Sequence, residues 1–328
     1  MSARLVILAP NWLGDAVMAL PAIADVRRAR PDATIAVAAR PSVAPLFALV
    51  DGIDATFSIQ ADSIGPLAGF DAALLLPNAF RSALECWRAG VPERWGYRAD
   101  GRGLLLTRAI DRPTRSVHQV EYYRHLVAAL GFANGSPDPR VIVSEAVRNA
   151  GARLLASAGW NRRTPLVALA PGAAYGGAKR WPPEYFARLA NELARDGVHS
   201  VMIGSAADAK ATRDVPATFD LVGKTDLPTL AGLLTHCRTL VTNDSGAMHL
   251  AAAAGVAVTA VFGPTRDRET HPIGDRHAIL THDVWCRPCM LRECPLDHRC
   301  MRGIAPAAVL ASARRTLDAP PAARNPLP

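Results

Sequence analysis

Short apolar runs alternate with longer segments of helical periodicity along the whole chain. Runs with the length of a strand occur at residues 5–9, 34–38, 73–76, 166–170, 199–203, 239–241 and 257–262. Apolar residues recur at helical spacing at residues 16–26, 120–130, 147–158, 183–196, 227–236, 246–254 and 305–317. This alternation predicts an α/β architecture in which helices cover parallel sheets. Pro21 falls inside the first helical pattern, so we expect the helix to kink or restart there.

The alternation occurs in both halves of the chain, which indicates two domains. A chain of 328 residues is too long for one ordinary core and fits two domains of about 150 residues each. Residues 161–165 (Asn-Arg-Arg-Thr-Pro) are typical of a linker. We therefore predict a first domain at 1–160, a second at 161–318 with a cleft between them, and a flexible tail at 319–328.

Composition and charge narrow the function classes. Half of the residues are apolar and a fifth are charged, which is typical of a globular protein. No apolar run approaches the roughly 20 residues that span a bilayer, and the N-terminus lacks the features of a signal peptide, so we expect a cytoplasmic protein. The net charge of +8 favours an anionic partner. The basic residues form no block interleaved with aromatics, which argues against nucleic acid.

Four small polar residues, 242–245, separate the strand at 239–241 from an alanine-rich helix that begins at Gly246. Such a junction directs free N–H groups and the positive end of the helix dipole to one place, which suits a phosphate. The candidate ligands are Asp244, Ser245, Gly246 and, one turn further along the same face, His249. An ordinary N-capped helix is the alternative, because Asp, Ser and Asn are the usual caps.

A second candidate loop, residues 171–182, follows the strand at 166–170. It is rich in glycine and alanine, including Gly172 and Ala173, and it ends in two cations of which the first is Lys179. Glycine lets the backbone approach a phosphate closely, and a lysine supplies a point charge. The spacing is not that of a Walker loop, and a flexible surface loop is the alternative.

Two polar segments follow strands in the first half of the chain. Residues 10–15, which include Asn11, Gly14 and Asp15, come after the first strand, and residues 77–82 come after the third. Ligands of parallel sheets collect at the carboxyl ends of strands, although Asp15 is also explained as a helix cap. The Arg- and Gly-rich segment 90–115 is expected to form long loops or short strands facing a ligand.

Four of the six cysteines are close together in the sequence. Cys286, Cys289, Cys294 and Cys300 have the spacing C-x2-C-x4-C-x5-C. Thiols stay reduced in the cytoplasm, and thiolates at this spacing can close a tetrahedral site, so a structural zinc is predicted, with free thiols as the alternative. The isolated Cys86 and Cys237 are expected to be buried apolar residues.

Five short motifs, in this order, resemble those of the lipopolysaccharide heptosyltransferases of glycosyltransferase family 9. They are Asn11-Trp12-Leu13-Gly14-Asp15, Leu76-Pro77-Asn78-Ala79-Phe80-Arg81-Ser82-Ala83, Pro171-Gly172-Ala173 with Ala178-Lys179-Arg180-Trp181-Pro182, Asn243-Asp244-Ser245-Gly246 with Met248-His249, and Phe262-Gly263-Pro264-Thr265. The resemblance implies a GT-B fold with two Rossmann-like doubly wound domains. It also implies that the first domain binds the acceptor and the second binds the nucleotide-sugar.

The resemblance further implies inverting transfer of L-glycero-D-manno-heptose from ADP-heptose onto heptosyl-Kdo2-lipid A of the lipopolysaccharide inner core. Asp15 would be the base and Lys179 would stabilise the departing diphosphate, with no cofactor needed. The other substrate-binding residues that it implies are Asn11, Gly14, Asn78, Arg81, Ser82, Gly172, Ala173, Asp208, Thr225, Asp244, Ser245, Gly246 and His249. Peripheral contact with the inner face of the inner membrane is also expected.

Three other functions remain open from the sequence. A member of the same family could act on the acceptor that lacks heptose, or could use a different nucleotide-sugar. A non-catalytic sugar-nucleotide sensor would have Asp15 as a mere cap. Binding of nucleic acid rests on the net charge alone.

Overall fold

The computed structural model describes residues 3–60 and 67–318, which form two compact units that meet in sequence at Ile142 and Val143. Each unit contains one six-stranded parallel sheet, which confirms the predicted α/β architecture. The predicted tail at 319–328 lies outside the described residues. Within the two described ranges, no helix has the length and apolar character needed to cross a membrane.

The first unit is built on a parallel sheet with the strand order β3-β2-β1-β4-β5-β6. Its strands are β1 (Arg4–Leu8), β2 (Thr34–Ala39), β3 (Ala55–Ser58), β4 (Ala72–Leu75), β5 (Glu93–Tyr97) and β6 (Arg108–Ile110). Its helices are α1 (Leu13–Met18), α2 (Leu20–Ala29), α3 (Phe80–Arg88) and α4 (Gln119–Ala129), with 3-10 turns at Ala44–Leu49 and Arg102–Leu105. The strand order reverses between β1 and β4, which is where sheets of this kind bind ligands.

Strand β1 shows why the apolar runs become central strands. Its last four residues, 5–8, are all buried, as expected of a parallel strand with helices on both faces. The predicted restart at Pro21 is confirmed, because α1 ends at Met18 and α2 has this proline in its first turn. A first-turn N–H has no intrahelical acceptor, so proline is tolerated there.

The second unit repeats this strand order, as β12-β11-β10-β7-β8-β9. Its strands are β7 (Leu166–Ala170), β8 (His199–Met202), β9 (Phe219–Asp220), β10 (Thr239–Asn243), β11 (Ala257–Phe262) and β12 (His277–Thr281). Its helices are α5 (Glu145–Ser157), α6 (Pro183–Arg195), α7 (Ala209–Thr212), α8 (Leu227–Leu234), α9 (Gly246–Ala253), α10 (Asp267–Thr270), α11 (Arg299–Arg302) and α12 (Pro306–Asp318), with 3-10 turns at Gly177–Lys179 and Ala206–Asp208. Here the order reverses between β7 and β10.

Helix α5 belongs to the second unit, although it precedes the linker that the sequence indicated at 161–165. It packs on α8 at a pair of glycines. A Cβ on Gly151 would lie 2.2 Å from the Leu233 nitrogen, and one on Gly232 would lie 2.1 Å from the Val147 carbonyl oxygen. The two backbones therefore touch, and this close contact ties α5 to the sheet that follows it in the chain.

Candidate functional site

The reversal between β7 and β10 is held together by Asn243, the last residue of β10. This side chain is fully buried, and its Nδ2 donates to the Pro171 carbonyl oxygen at 2.7 Å. Its Oδ1 accepts from the Trp181 N–H at 3.0 Å. Asn243 thus fixes both ends of the loop at 171–182, and a buried amide that is satisfied on both sides positions that loop tightly.

Asp244, the next residue, collects two partners from different loops. Its Oδ2 atom lies 2.5 Å from the Lys179 ammonium, and it accepts a hydrogen bond of 2.7 Å from the Thr265 hydroxyl. Asp244 is 7% exposed, and the Lys179 side chain is 13% exposed. The Lys179 Nζ atom also lies 4.6 Å from the centre of the Tyr175 ring. The structure therefore brings together the two loops that the sequence singled out separately, with the lysine charge held in place.

Helix α9 begins beside this ion pair. Ser245 occupies the N-cap position, yet in the described part of the chain no side chain makes a cap hydrogen bond to this helix. The Ser245 hydroxyl is instead 3.1 Å from the hydroxyl of Thr242. His249 is buried one turn further along. The N-terminus of α9, with Gly246 as its first residue, remains a place where N–H groups and the helix dipole favour an anion.

Asp208 and Thr225 lie on two loops that are tied to each other. The Gly223 N–H donates to the Gly204 carbonyl oxygen at 2.9 Å. The Asp208 carboxylate accepts from the backbone and the hydroxyl of Ser205 at 2.9 and 2.7 Å. A Cβ on Gly172 would lie 2.2 Å from Asp208 Oδ1, so this carboxylate reaches the loop that follows β7.

Ala173, the next residue of the loop that follows β7, is 3% exposed. It follows Gly172 directly, so it lies beside the place where the Asp208 carboxylate meets this loop. The methyl group of Ala173 is packed inside the unit, and the backbone of this residue lies at the reversal of strand order between β7 and β10.

The zinc site that the cysteine spacing indicated is not supported by the structure. Among residues 3–60 and 67–318, no three His, Cys, Asp or Glu side chains are grouped so as to hold a metal ion. Cys300 is buried, whereas Cys286, Cys289 and Cys294 are half-buried. Burial above all raises the pKa of the Cys300 thiol, with a smaller contribution from the other three sulfurs. The structure differs from the predicted four-cysteine site because α11 turns Cys300 toward the core beside Gly263.

The other two cysteines behave as predicted. Cys86 and Cys237 are buried, which confirms the expectation for isolated cysteines. Burial raises the pKa of the Cys86 thiol to about 12. Both side chains therefore serve as small apolar groups.

In the first unit, Asp15 lies at the carboxyl end of β1, inside the first turn of α1. The N-cap residue of this helix is Trp12, and no side chain caps it within the described residues, so Asp15 is not the cap. Burial, and then the negative charge of Asp15, raise the pKa of the Tyr123 hydroxyl well above its usual value. Asp15 is half-buried, as is Gly14, while Asn11 is exposed. Tyr123 comes from α4, so no local pattern at residues 10–15 indicated this neighbour.

The loop after β4 is supported from behind by a buried arginine. Arg102 is fully buried, and it donates to the Ser82 hydroxyl at 3.1 Å and to the Tyr97 carbonyl oxygen at 2.9 Å. It also hydrogen-bonds the Pro77 carbonyl oxygen. Burial lowers the pKa of Arg102 to about 10. The Asn78 amide donates to the Tyr122 hydroxyl at 2.8 Å.

The sequence suggested that the segment 90–115 faces a ligand. Several of its arginines instead make hydrogen bonds within their own unit. Arg94 donates to the carbonyl oxygens of Val91 and Leu105, and Arg108 donates to that of Leu130. These side chains, like Arg102, satisfy backbone oxygens of their own unit. The predicted short strands of this segment are confirmed as β5 and β6.

Arg81 lies at the surface beside the loop after β4. Its side chain is 54% exposed, and its Nε donates to Glu85 one turn along α3 at 2.7 Å. An ion pair of this exposure contributes little to stability.

Each unit has a Rossmann-like parallel sheet with polar residues at its reversal of strand order, and the solved structures that match this fold are heptosyltransferases of the GT-B fold. Comparison with known proteins agrees with this class. Residues 67–299 match the profile of glycosyltransferase family 9 (heptosyltransferase), and the chain therefore belongs to this family. It is a glycosyltransferase, and the resemblance drawn from the five motifs is confirmed.

Individual relatives cover nearly the whole chain. Lipopolysaccharide heptosyltransferase 2 of Escherichia coli (strain K12) is 29% identical over 308 residues, 84% of this chain and 87% of that protein. The protein of the same name from Salmonella typhimurium gives the same values. The structure of E. coli ADP-heptose LPS heptosyltransferase II superposes with a TM-score of 0.84 at 27% identity, covering 96% of this chain and 98% of that one.

Proposed function

We propose that this enzyme transfers heptose from ADP-heptose to an inner-core lipopolysaccharide acceptor that already carries one heptose. Binding of a nucleotide-sugar is supported by the ammonium of Lys179, which is held beside the N-terminus of α9 at the reversal of strand order between β7 and β10. A diphosphate is the part of a nucleotide-sugar that such a site suits. The names of the relatives with similar sequence and structure support ADP-heptose as that nucleotide-sugar.

Different residues of the second unit would bind different parts of the nucleotide-sugar donor. Lys179 and the N–H groups at Ser245 and Gly246 would stabilise the negative charge that grows on the diphosphate as the sugar bond breaks. Asp208 and Thr225, on the two tied loops, would contact the adenosine part. The ammonium and N–H groups that would stabilise the diphosphate belong to the folded unit, so we expect that no catalytic cofactor is required.

The residues of the first unit would act on the acceptor. Asp15 would take the proton from the attacking hydroxyl while the hydroxyl oxygen bonds to the sugar carbon and ADP leaves with the electron pair of the broken bond. Arg81, with its exposed guanidinium, would meet an acceptor phosphate or carboxylate. Asn78 and Asn11, which follow the ends of β4 and β1, would contact acceptor hydroxyls. Ser82 is buried, and its hydroxyl donates to the Ala79 carbonyl oxygen of the loop after β4.

A transfer assay with purified ADP-heptose tests the proposal. Two acceptors are compared, heptosyl-Kdo2-lipid A and Kdo2-lipid A, at equal concentration. We expect transfer to the first and much less to the second. An equal or higher rate on the acceptor without heptose would assign the enzyme to the preceding transfer. Binding of ADP-heptose without turnover on either acceptor would indicate a sensor.

Because this acceptor is anchored in lipid, we further propose that the enzyme works at the cytoplasmic face of the membrane in peripheral contact with anionic lipid. Phe80 and Trp87, which are 45% and 54% exposed, lie seven residues apart on α3 and share one face of it. Leu104, 98% exposed, is on the 3-10 turn that packs against α3. Arg88, also exposed, adds positive charge to this α3 surface. Tryptophan and arginine are favoured at the interface of an anionic bilayer.

Co-sedimentation with vesicles tests this contact. We expect binding to vesicles containing phosphatidylglycerol and little binding to pure phosphatidylcholine. The variant Trp87→Ser with Leu104→Ser should bind the anionic vesicles about tenfold less, because two exposed apolar side chains are lost. Trp285→Ser is the matched control, since Trp285 is 79% exposed but lies in the second unit. Equal binding of the double variant and the control would contradict the α3 surface as the contact.

A further inference from the structure

Residues 287–293, here called the strap, are part of the cysteine-rich segment and lie against the loop that follows β7. The Ala178 N–H donates to the Arg292 carbonyl oxygen at 2.9 Å. The Gly177 N–H donates to the Oε1 atom of Glu293, also at 2.9 Å. Two successive N–H groups of the loop are therefore satisfied by the strap, although 116 residues separate Gly177 from Glu293.

The approach of the strap explains why this part of the loop is glycine. A Cβ on Gly176 would lie 2.3 Å from the Arg292 carbonyl oxygen, and one on Gly177 would lie 2.5 Å from Glu293 Oε2. The first contact is with backbone and leaves no room for a side chain. Lys179 lies two residues after Gly177, so the strap determines the backbone from which the ammonium extends.

The strap also holds a second loop, the one that follows β11. Arg287 Nε donates to the Gly263 carbonyl oxygen at 2.9 Å. The Met290 N–H donates to the Pro264 carbonyl oxygen at 2.9 Å. The next residue is Thr265, so the position of its hydroxyl follows from the same contacts.

Lys179 and Thr265, the side chains that these two loops carry, both contact Oδ2 of Asp244. Tyr175 provides a third link, because its hydroxyl donates to the Met290 carbonyl oxygen at 2.7 Å while its ring lies beneath the Lys179 ammonium. The strap is thus joined to both partners of the carboxylate that anchors the ammonium.

We propose that the strap positions Lys179 for the donor diphosphate and that Glu293 is a positioning residue for donor binding, an inference that rests on the proposed function. Glu293 is not a ligand, because a carboxylate repels a diphosphate. It acts through the N–H of Gly177 and hence through the loop. The cysteine-rich segment then serves the donor site through its backbone and through the side chains of Glu293 and Arg287.

Binding of ADP, measured by calorimetry, tests the role of Glu293. Glu293→Ala removes the hydrogen-bond acceptor and should weaken ADP binding about 5- to 10-fold, as expected for the loss of one hydrogen bond. Glu293→Gln keeps an acceptor oxygen and should bind within about twofold of wild type. Asp297→Ala is the matched control, because this exposed acid of the same segment pairs with Arg299. The acceptor KM should stay unchanged in all three variants.

A double-mutant cycle with Gly177→Ala gives an independent test. The added methyl group would displace the Glu293 carboxylate and weaken ADP binding in the wild-type background. In the Glu293→Ala background the space is open, so the second substitution should add little.

Three outcomes would overturn the proposal. These are wild-type ADP affinity in Glu293→Ala, an equal loss in Glu293→Gln and Glu293→Ala, and additive effects of the two substitutions in the cycle. If the wild-type enzyme itself fails to bind ADP, the proposed donor site is wrong and the strap has no diphosphate to serve. Wild-type ADP binding with unaffected variants removes the role of the strap alone.

Discussion

The ammonium of Lys179 lies 2.5 Å from the carboxylate of Asp244, between two loops that follow neighbouring strands of one sheet. Both side chains are largely buried, so this pair holds the ammonium in one position beside the N-terminus of α9. An ion pair of this kind is strong when both groups are shielded from water, and removal of one partner leaves the other uncompensated. The pair therefore links the geometry of the fold to the proposed binding of a diphosphate.

Replacement of Lys179 should affect both donor binding and turnover. We expect Lys179→Ala to weaken ADP binding by about tenfold or more and to lower kcat, because a phosphate contact acts in the ground state and in the transition state. Calorimetry with ADP and steady-state kinetics measure the two effects. Lys210→Ala, an exposed lysine of the same unit, is the control. Unchanged ADP affinity in Lys179→Ala would remove this residue from the donor site.

Asp15 should behave differently, because its proposed role is proton transfer. Asp15→Asn is expected to lower kcat by about 10²-fold or more while ADP affinity stays the same, since an amide does not accept the proton. The exposed Asp51→Asn serves as the control substitution. Near-normal turnover of the Asp15 variant would show that another group is the base.

Arg81 offers a test of the acceptor side. Arg81→Ala should raise the KM for the acceptor by about 5- to 10-fold, the effect of one lost charge-assisted contact, and leave ADP-heptose affinity nearly intact. Glu85→Gln removes the negative charge that Arg81 contacts on α3 and should not raise this KM. A rise in the KM for the donor instead would place Arg81 outside the acceptor site.

His277 on β12 should make the protein sensitive to acid. Burial lowers its pKa from 6.5 to about 4 in the folded state, so the folded protein resists protonation of this ring. The His277 ring must stay neutral in the folded protein. Its contribution to the free energy of unfolding is therefore complete above pH 6.5 and is lost as the pH drops toward 4, because the unfolded chain binds the proton more readily. Urea midpoints at pH 7.5 and pH 5 should differ more in wild type than in His277→Gln. Equal differences would show that other groups cause the loss.

The sequence by itself determined the class of fold and the positions of the candidate residues along it. Apolar runs and helical periodicity are local, and they marked the ends of β1, β4 and β7 to within one residue, whereas β10 continues past the predicted run 239–241 to Asn243. Since parallel strands end at the same edge of a sheet, that information suffices to place Asp15, Asn78, Lys179 and Asp244 at strand ends. The family followed from the order of the motifs.

Only the tertiary structure decided which of these residues touch and what supports them. The contact of Lys179 with Asp244 joins residues 65 apart, and that of Gly177 with Glu293 joins residues 116 apart. Local patterning carries no signal for such pairs. The burial of Arg102, the packing of α5 on α8 and the placement of Cys300 in the core likewise depend on distant neighbours. Packing fixes these contacts because close approach of backbones and satisfaction of buried polar groups are properties of the whole unit.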